Sequence, residues 1–266
     1  MLDLSPLGLV EPPFSLSPDP RYFYVSLQHK ATLAKATYAI EQRQGLSIIF
    51  GDVGVGKTTI ARRLYQVYRD RENYHTAYIP TPLYPSDFQF LKDICAEFGL
   101  NPKRSKLLQL AAFEEFLIGA FKQDKNVLLI VDEAQALIGQ QFELIRQLLN
   151  FETNTQKLIQ IVLIGQNELR NKIRLKRALA SRVATRSTLE PLHLDDTRSM
   201  INFRVMVAGR QEPMFTEPAL VRIYDYSRGM PRDICVLGLN ILPIALLKKV
   251  LIVDQPLVDQ VIEELQ

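Results

Sequence analysis

The chain has 266 residues, enough for one large domain or two modest ones with a substantial core. Its hydrophobic share of 47% and charged share of 23% are those of an ordinary globular protein, and a formal charge of +3 is too small to argue by itself for a nucleic-acid or membrane partner. Cys95 and Cys235 stand far apart in apolar helical contexts, which excludes a disulfide framework or a cysteine metal site and points to a reducing cytoplasm.

Residues 1–26 read as a proline-rich arm carrying Phe14, Tyr22, Phe23 and Tyr24, and its prolines interrupt any secretory signal. The spacing of Leu33, Ala36, Tyr38 and Ile40 predicts a helix over 27–44, ended by Gly45. A buried strand follows over 46–50, then a glycine-rich loop, then a helix from Thr59 to about Arg71. A short strand is expected over 75–80. Pro82 and Pro85 break the chain, and Ser86 or Asp87 can cap a helix running to Glu97. The turn at 99–102 leads into Lys103-Arg104-Ser105-Lys106 and a helix over 107–122.

The run from Asn126 to Val131 is apolar and β-branched, the pattern of a strand buried on both faces of a parallel sheet. A helix over 141–150, a buried strand over 158–164, a helix over 166–175 and a last strand over 185–189 complete the alternation. Strands alternating with helices mean βαβ units and a parallel, doubly wound sheet. From Pro191 the strand signals stop, and helices are expected over 195–208, 217–227, 231–247 and 256–265, with Thr216 and Asp254 as caps. The expected domains are thus an arm (1–26), an α/β domain (27–190) and a small helical domain (191–266), which the motifs and resemblance below imply are a nucleotide-binding domain and its lid. The longest apolar stretch, 234–247, contains Asn240 and Pro243 and falls short of the about 20 residues a bilayer span needs, so no membrane span is expected.

Two stretches carry chemistry. Gly51-Asp52-Val53-Gly54-Val55-Gly56-Lys57-Thr58-Thr59 fits G-x-x-x-x-G-K-[ST], the phosphate-binding loop, in its required context of strand before and helix after. The glycines let successive N–H groups turn inward onto phosphate oxygens, and the helix dipole favours the same anion. Lys57 reaches the β- and γ-phosphates of a nucleoside triphosphate, and the Thr58 hydroxyl is a Mg²⁺ ligand. Asp132, at the end of its apolar strand, holds Mg²⁺ through water beside Thr58; Glu133 is placed to orient and polarise the attacking water. Two adjacent carboxylates fit hydrolysis rather than mere binding. No specificity signature for GTP appears, and a nucleoside triphosphate with Mg²⁺ is expected; the resemblance described next implies that it is ATP.

On these motifs the sequence resembles the AAA+ ATPases of the ExeA/GspA group, related to the TnsC/TniB transposition regulators. Further residues that carry the resemblance are Leu7-Gly8-Leu9, Pro12-Pro13-Phe14-Ser15 and Pro18-Asp19-Pro20-Arg21 in the arm, Asp132-Glu133-Ala134-Gln135, the stretches 148–153 and 157–166, and Gly229-Met230-Pro231-Arg232. The group usually continues Ile-Asn where this chain has Asp233-Ile234. The resemblance implies a P-loop NTPase fold with a helical lid, and an oligomer with ATP at its subunit interfaces. Gln166 would sense the γ-phosphate. Arg182, or alternatively Arg186, would be an arginine finger acting in trans, and Arg232 would reach from the lid onto the phosphates of its own subunit. A trans arginine makes hydrolysis depend on assembly.

Two cellular roles follow from the resemblance. The secretion members carry a membrane span and a peptidoglycan-binding domain beyond the ATPase, and neither is seen in these 266 residues. The transposition regulators polymerise on duplex DNA with ATP and engage a transposase and target-selection proteins; that role is the expectation here, in the cytoplasm. Lys103, Arg104 and Lys106 are the candidate DNA contacts, with Thr81 and Lys92 as neighbours, and a solvated basic turn explains them equally from charge alone. The cluster from Lys172 to Arg177 is a subunit contact, a DNA contact or an ordinary amphipathic connection. A non-catalytic nucleotide switch is the third alternative.

Overall fold

Among the described residues, five strands join one parallel sheet in the order β2-β3-β4-β1-β5. They are β1 (Leu46–Gly51), β2 (Tyr74–Ile79), β3 (Asn126–Val131), β4 (Ile159–Gly165) and β5 (Val183–Leu189). Every residue of β1, β3 and β4 is buried, whereas edge strand β5 alternates and turns Arg186 outward. The computed structural model describes residues 3–17 and 19–265. Pro18 of the arm motif, and Met1, Leu2 and Gln266 at the outer ends of the expected arm and lid, lie outside the described residues.

Helices α1 (Leu27–Glu41), α2 (Lys57–Arg69), α3 (Asp87–Glu97), α4 (Lys106–Lys122), α5 (Gly139–Leu148), α6 (Asn167–Leu175) and α7 (Arg177–Ala180) alternate with the strands. The apolar faces of α3 to α7 and one face of the sheet form one core, in which Phe90, Phe113, Leu117, Phe142, Leu144 and Ile145 are enclosed. Ser86, rather than Asp87, caps α3, its hydroxyl accepting from Gln89 N at 3.1 Å.

Three boundaries depart from the sequence expectation for visible reasons. α1 stops at Glu41 because Arg43 turns to φ +50° before Gly45. α5 begins at Gly139, earlier than expected: the Gln141 side chain accepts from Ile138 N and donates to the Tyr84 carbonyl, so a polar residue holds the helix start from inside. β5 begins at Val183, paired with Leu46 across a register irregularity that hides the strand's alternation at its start.

The chain divides into two compact units. One comprises Gln28–Val53 and Ile60–Leu189; the other takes in the chain up to Leu27, Gly54–Thr59 and the chain from Glu190. In the second, α8 (Leu194–Val207), α9 (Glu217–Ser227), α10 (Pro231–Leu247) and α11 (Gln255–Glu264) enclose a separate core. Thr216 and Asp254 cap α9 and α11 through their side chains, as the sequence predicts. The arm contributes Leu7, Leu9, Phe14 and Tyr22 to this core. Phe14 fills the space that a Cβ on Gly238 of α10 would occupy, at 2.5 Å. Arg204 and Arg210 tie the arm down by donating to the Pro13 and Leu7 carbonyls at 3.0 and 2.8 Å. Among the described residues, no helix is long and apolar enough to cross a membrane.

Candidate functional site

The parallel sheet delivers the carboxyl ends of β1, β3 and β4 to one edge, the place where open α/β sheets bind ligands. β1 ends in Gly51, and Asp52 and Val53 follow it, exposed. The Asp52 carboxylate accepts from Asn167 Nδ2 at 2.5 Å, which joins the start of the loop to the start of α6.

Gly54–Thr59 is described with the helical unit. Gly54 has φ +90°, and a Cβ there would lie 2.9 Å from Arg232 Cβ and 3.2 Å from Met230 Sδ. Only glycine gives the loop both that backbone and that proximity to the start of α10. Val55 and Lys57 are buried, Lys57 with 5% exposure, and Thr58 and Thr59 lie in the first turn of α2. Arg232 is exposed in the first turn of α10, whose helix begins at Pro231 despite the Asp233-Ile234 departure.

At the end of β3 the Asp132 carboxylate is 1% exposed. Its Oδ1 accepts from Glu133 N at 2.9 Å, and its Oδ2 accepts from the Tyr78 hydroxyl at 3.4 Å. Burial, then the Asp132 charge, pushes the Tyr78 hydroxyl up to about 12, so it stays a proton donor at neutral pH. Glu133 has φ +49° and ψ 33°, a left-handed backbone that costs a non-glycine residue about 1–3 kcal/mol and recurs at functional sites. Its Oε2 accepts from Gln135 Nε2. Gln135 Oε1 in turn accepts from Gln166 N at 3.0 Å, at the amino cap of α6. One amide thereby links the expected base to the backbone of the expected sensor.

Three of these residues escaped the sequence reading in their roles: Gln135, Tyr78 and Asn167. Only Gln135 left a signal, as a polar residue just after the carboxylate pair.

The remaining candidates lie elsewhere. Arg182 donates to the Ala178 carbonyl at 2.6 Å and to Asn150 Oδ1 at 2.9 Å. Arg186, exposed on β5, donates to the Ala180 carbonyl at 2.8 Å. Lys103 and Arg104 are exposed before α4, whereas Lys106 is paired with Asp87 at 2.5 Å. Lys172, from the second basic cluster, donates to the Gln135 and Leu137 carbonyls at 2.5 and 3.2 Å, inside the turn that follows Glu133.

The donor set suits a magnesium nucleotide. Among the described residues no group of three or more His, Cys, Asp or Glu gathers as a metal site. Mg²⁺ held with a nucleotide takes only one or two protein oxygens, the rest coming from phosphate and water, so a single buried carboxylate such as Asp132 is a donor of the right kind.

Comparison with known proteins bears on the same residues. A family model described as "AAA domain" matches residues 40–173. The General secretion pathway protein A of Aeromonas hydrophila is 39% identical over 229 residues, covering 85% of this chain and 41% of that protein. The chain therefore spans about two fifths of that relative's length. Among solved structures, Aeropyrum pernix ORC2 aligns with a TM-score of 0.67 at 16% identity, covering 93% of this chain and 72% of that one. Drosophila ORC bound to DNA aligns with a TM-score of 0.73 at 18% identity, covering 98% and 66%. At such identities the two structures speak to the fold alone.

Proposed function

Because this chain belongs to the AAA domain family, we propose that it binds and hydrolyses ATP with Mg²⁺ and works as an oligomer. The observation that carries the hydrolysis reading is the pair at the end of β3: a buried Asp132 beside a Glu133 whose carboxylate is held by Gln135. Lys57 and the loop N–H groups bind the β- and γ-phosphates. Mg²⁺, when bound through Thr58 and Asp132, neutralises charge that develops on the phosphate oxygens. Gln135 holds Glu133 Oε2, and the Glu133 carboxylate orients the attacking water and accepts its proton. Gln166 senses the γ-phosphate, and Arg232 carries the nucleotide state to the lid. Arg182 serves as the finger in trans, with Arg186 as the alternative. Arg182 must first release Asn150 to do so.

Turnover tests this reading. Glu133→Gln is expected to bind ATP but to lower phosphate release by about 100-fold or more, while Lys57→Ala weakens binding itself. Tight ATP binding with no turnover above the Glu133→Gln control would leave a nucleotide switch instead.

For the cellular role, the 39% identity to General secretion pathway protein A supports an ExeA-like ATPase module of a secretion or pilus system. Exposed Lys103 and Arg104 support a second reading, an ATP-dependent DNA-binding protein. Its coupling to a transposase and target-selection proteins rests on the resemblance to TnsC/TniB alone. DNA binding that needs ATP, falls steeply with salt and weakens in Lys103→Ala with Arg104→Ala would favour this second role. Binding that is absent at low salt removes it.

A further inference from the structure

The turn between α10 and α11 departs from the rest of the helical surface. Leu247, Leu251 and Ile252 are 82%, 58% and 54% exposed, and Lys248 and Lys249 stand between them. Single exposed aliphatics are ordinary; three within one short turn, interleaved with two cations, form a patch that asks for a partner.

The turn is built rather than loose. Lys248, Lys249 and Val250 donate their backbone N–H groups to the Ile244, Leu246 and Ala245 carbonyls at 2.9, 3.1 and 2.9 Å. Beyond it, buried Val253 donates to the Met214 carbonyl at 2.8 Å and accepts from Thr216 N at 2.9 Å. Lys249 occupies the left-handed position, φ +56°, where glycine is the unstrained choice. Lys248 Nζ donates to the neutral Gln260 Oε1, a bond that leaves its charge uncancelled. Two carboxylates lie on the following helix and its cap: Asp254 accepts from Leu257 N, and Glu264 accepts from the same neutral Gln260, so both keep their charge as well.

We propose that this turn is a membrane-surface contact, placing Leu247, Leu251 and Ile252 at the acyl boundary of an anionic bilayer with Lys248 and Lys249 among its headgroups. Exposed aliphatic side chains interleaved with cations match that boundary. A nucleic-acid phosphate would answer the lysines and leave all three aliphatics in water.

The test is sedimentation of the full chain with vesicles of phosphatidylcholine alone, or with about one third phosphatidylglycerol. Pelleting is expected with the anionic vesicles and is expected to fall about tenfold for Leu251→Ser with Ile252→Ser. Lys249→Gly separates a binding role from a structural one: it relieves the left-handed strain, so the unfolding midpoint rises while vesicle binding falls. The chain has no tryptophan, so Ile252→Trp supplies a single indole whose emission shifts to the blue on insertion. Absence of pelleting, equal pelleting on neutral vesicles, or an indole that stays solvent-like overturns the proposal.

Discussion

Gly229 shows how one residue can be fixed twice. Its φ is +73°, and a Cβ there would fall 1.9 Å from the Leu192 carbonyl oxygen, while its own carbonyl accepts from Leu192 N at 2.8 Å. Gly229→Ala is therefore expected to destabilise the helical unit by about 3 kcal/mol or more, read as a lower denaturant midpoint. Gln135→Ala tests a subtler dependence. Freed from its amide, Glu133 should keep ATP binding but lose turnover by about tenfold, so kcat falls while KM holds. Asp132 and Glu133 were legible in the sequence because a strand end fixes their place. Tyr78 and Gln135 were not: one reaches Asp132 through the pairing of β2 with β3, the other reaches Glu133 through a left-handed turn. Neither relation leaves a mark in residue spacing.

Elements buried on both faces were the easiest to read. β3 and β4 announced themselves because nearly every position is apolar; the polar Gln160 is held inside, where its Oε1 accepts from Gly45 N at 2.7 Å and its Nε2 donates to the Lys157 carbonyl at 3.0 Å. The ends of α5 and β5 were harder, since a side-chain bond and a register irregularity set them. The arm was the least legible element. Its aromatics were plain, but their partners lie in helices at the far end of the chain. Phe14→Ala is expected to cost about 3–5 kcal/mol, because the slot left at Gly238 cannot be refilled by backbone. Hydrogen exchange should then rise in α8 to α11 while β1, β3 and β4 keep their protection.

At the scale of the whole molecule, the proposed arginine finger would make hydrolysis depend on groups from two copies. Arg182→Ala and Glu133→Gln would each be inactive alone. Mixed together, they should recover part of the turnover, because one interface then holds an intact base and an intact finger. No recovery, with Arg186→Ala giving it instead, would move the finger to β5.

The helical core draws on both ends of the chain, Leu7 and Phe14 at one and Val258 and Ile262 at the other. During synthesis the arm leaves the ribosome well before its partners in α8 to α11. At about 5–20 residues per second, its apolar side chains wait on the order of tens of seconds for the surface that covers them. The sheet core can close in that interval, but the helical core cannot, so the growing chain passes through a stage in which the arm's apolar side chains are a target for chaperones.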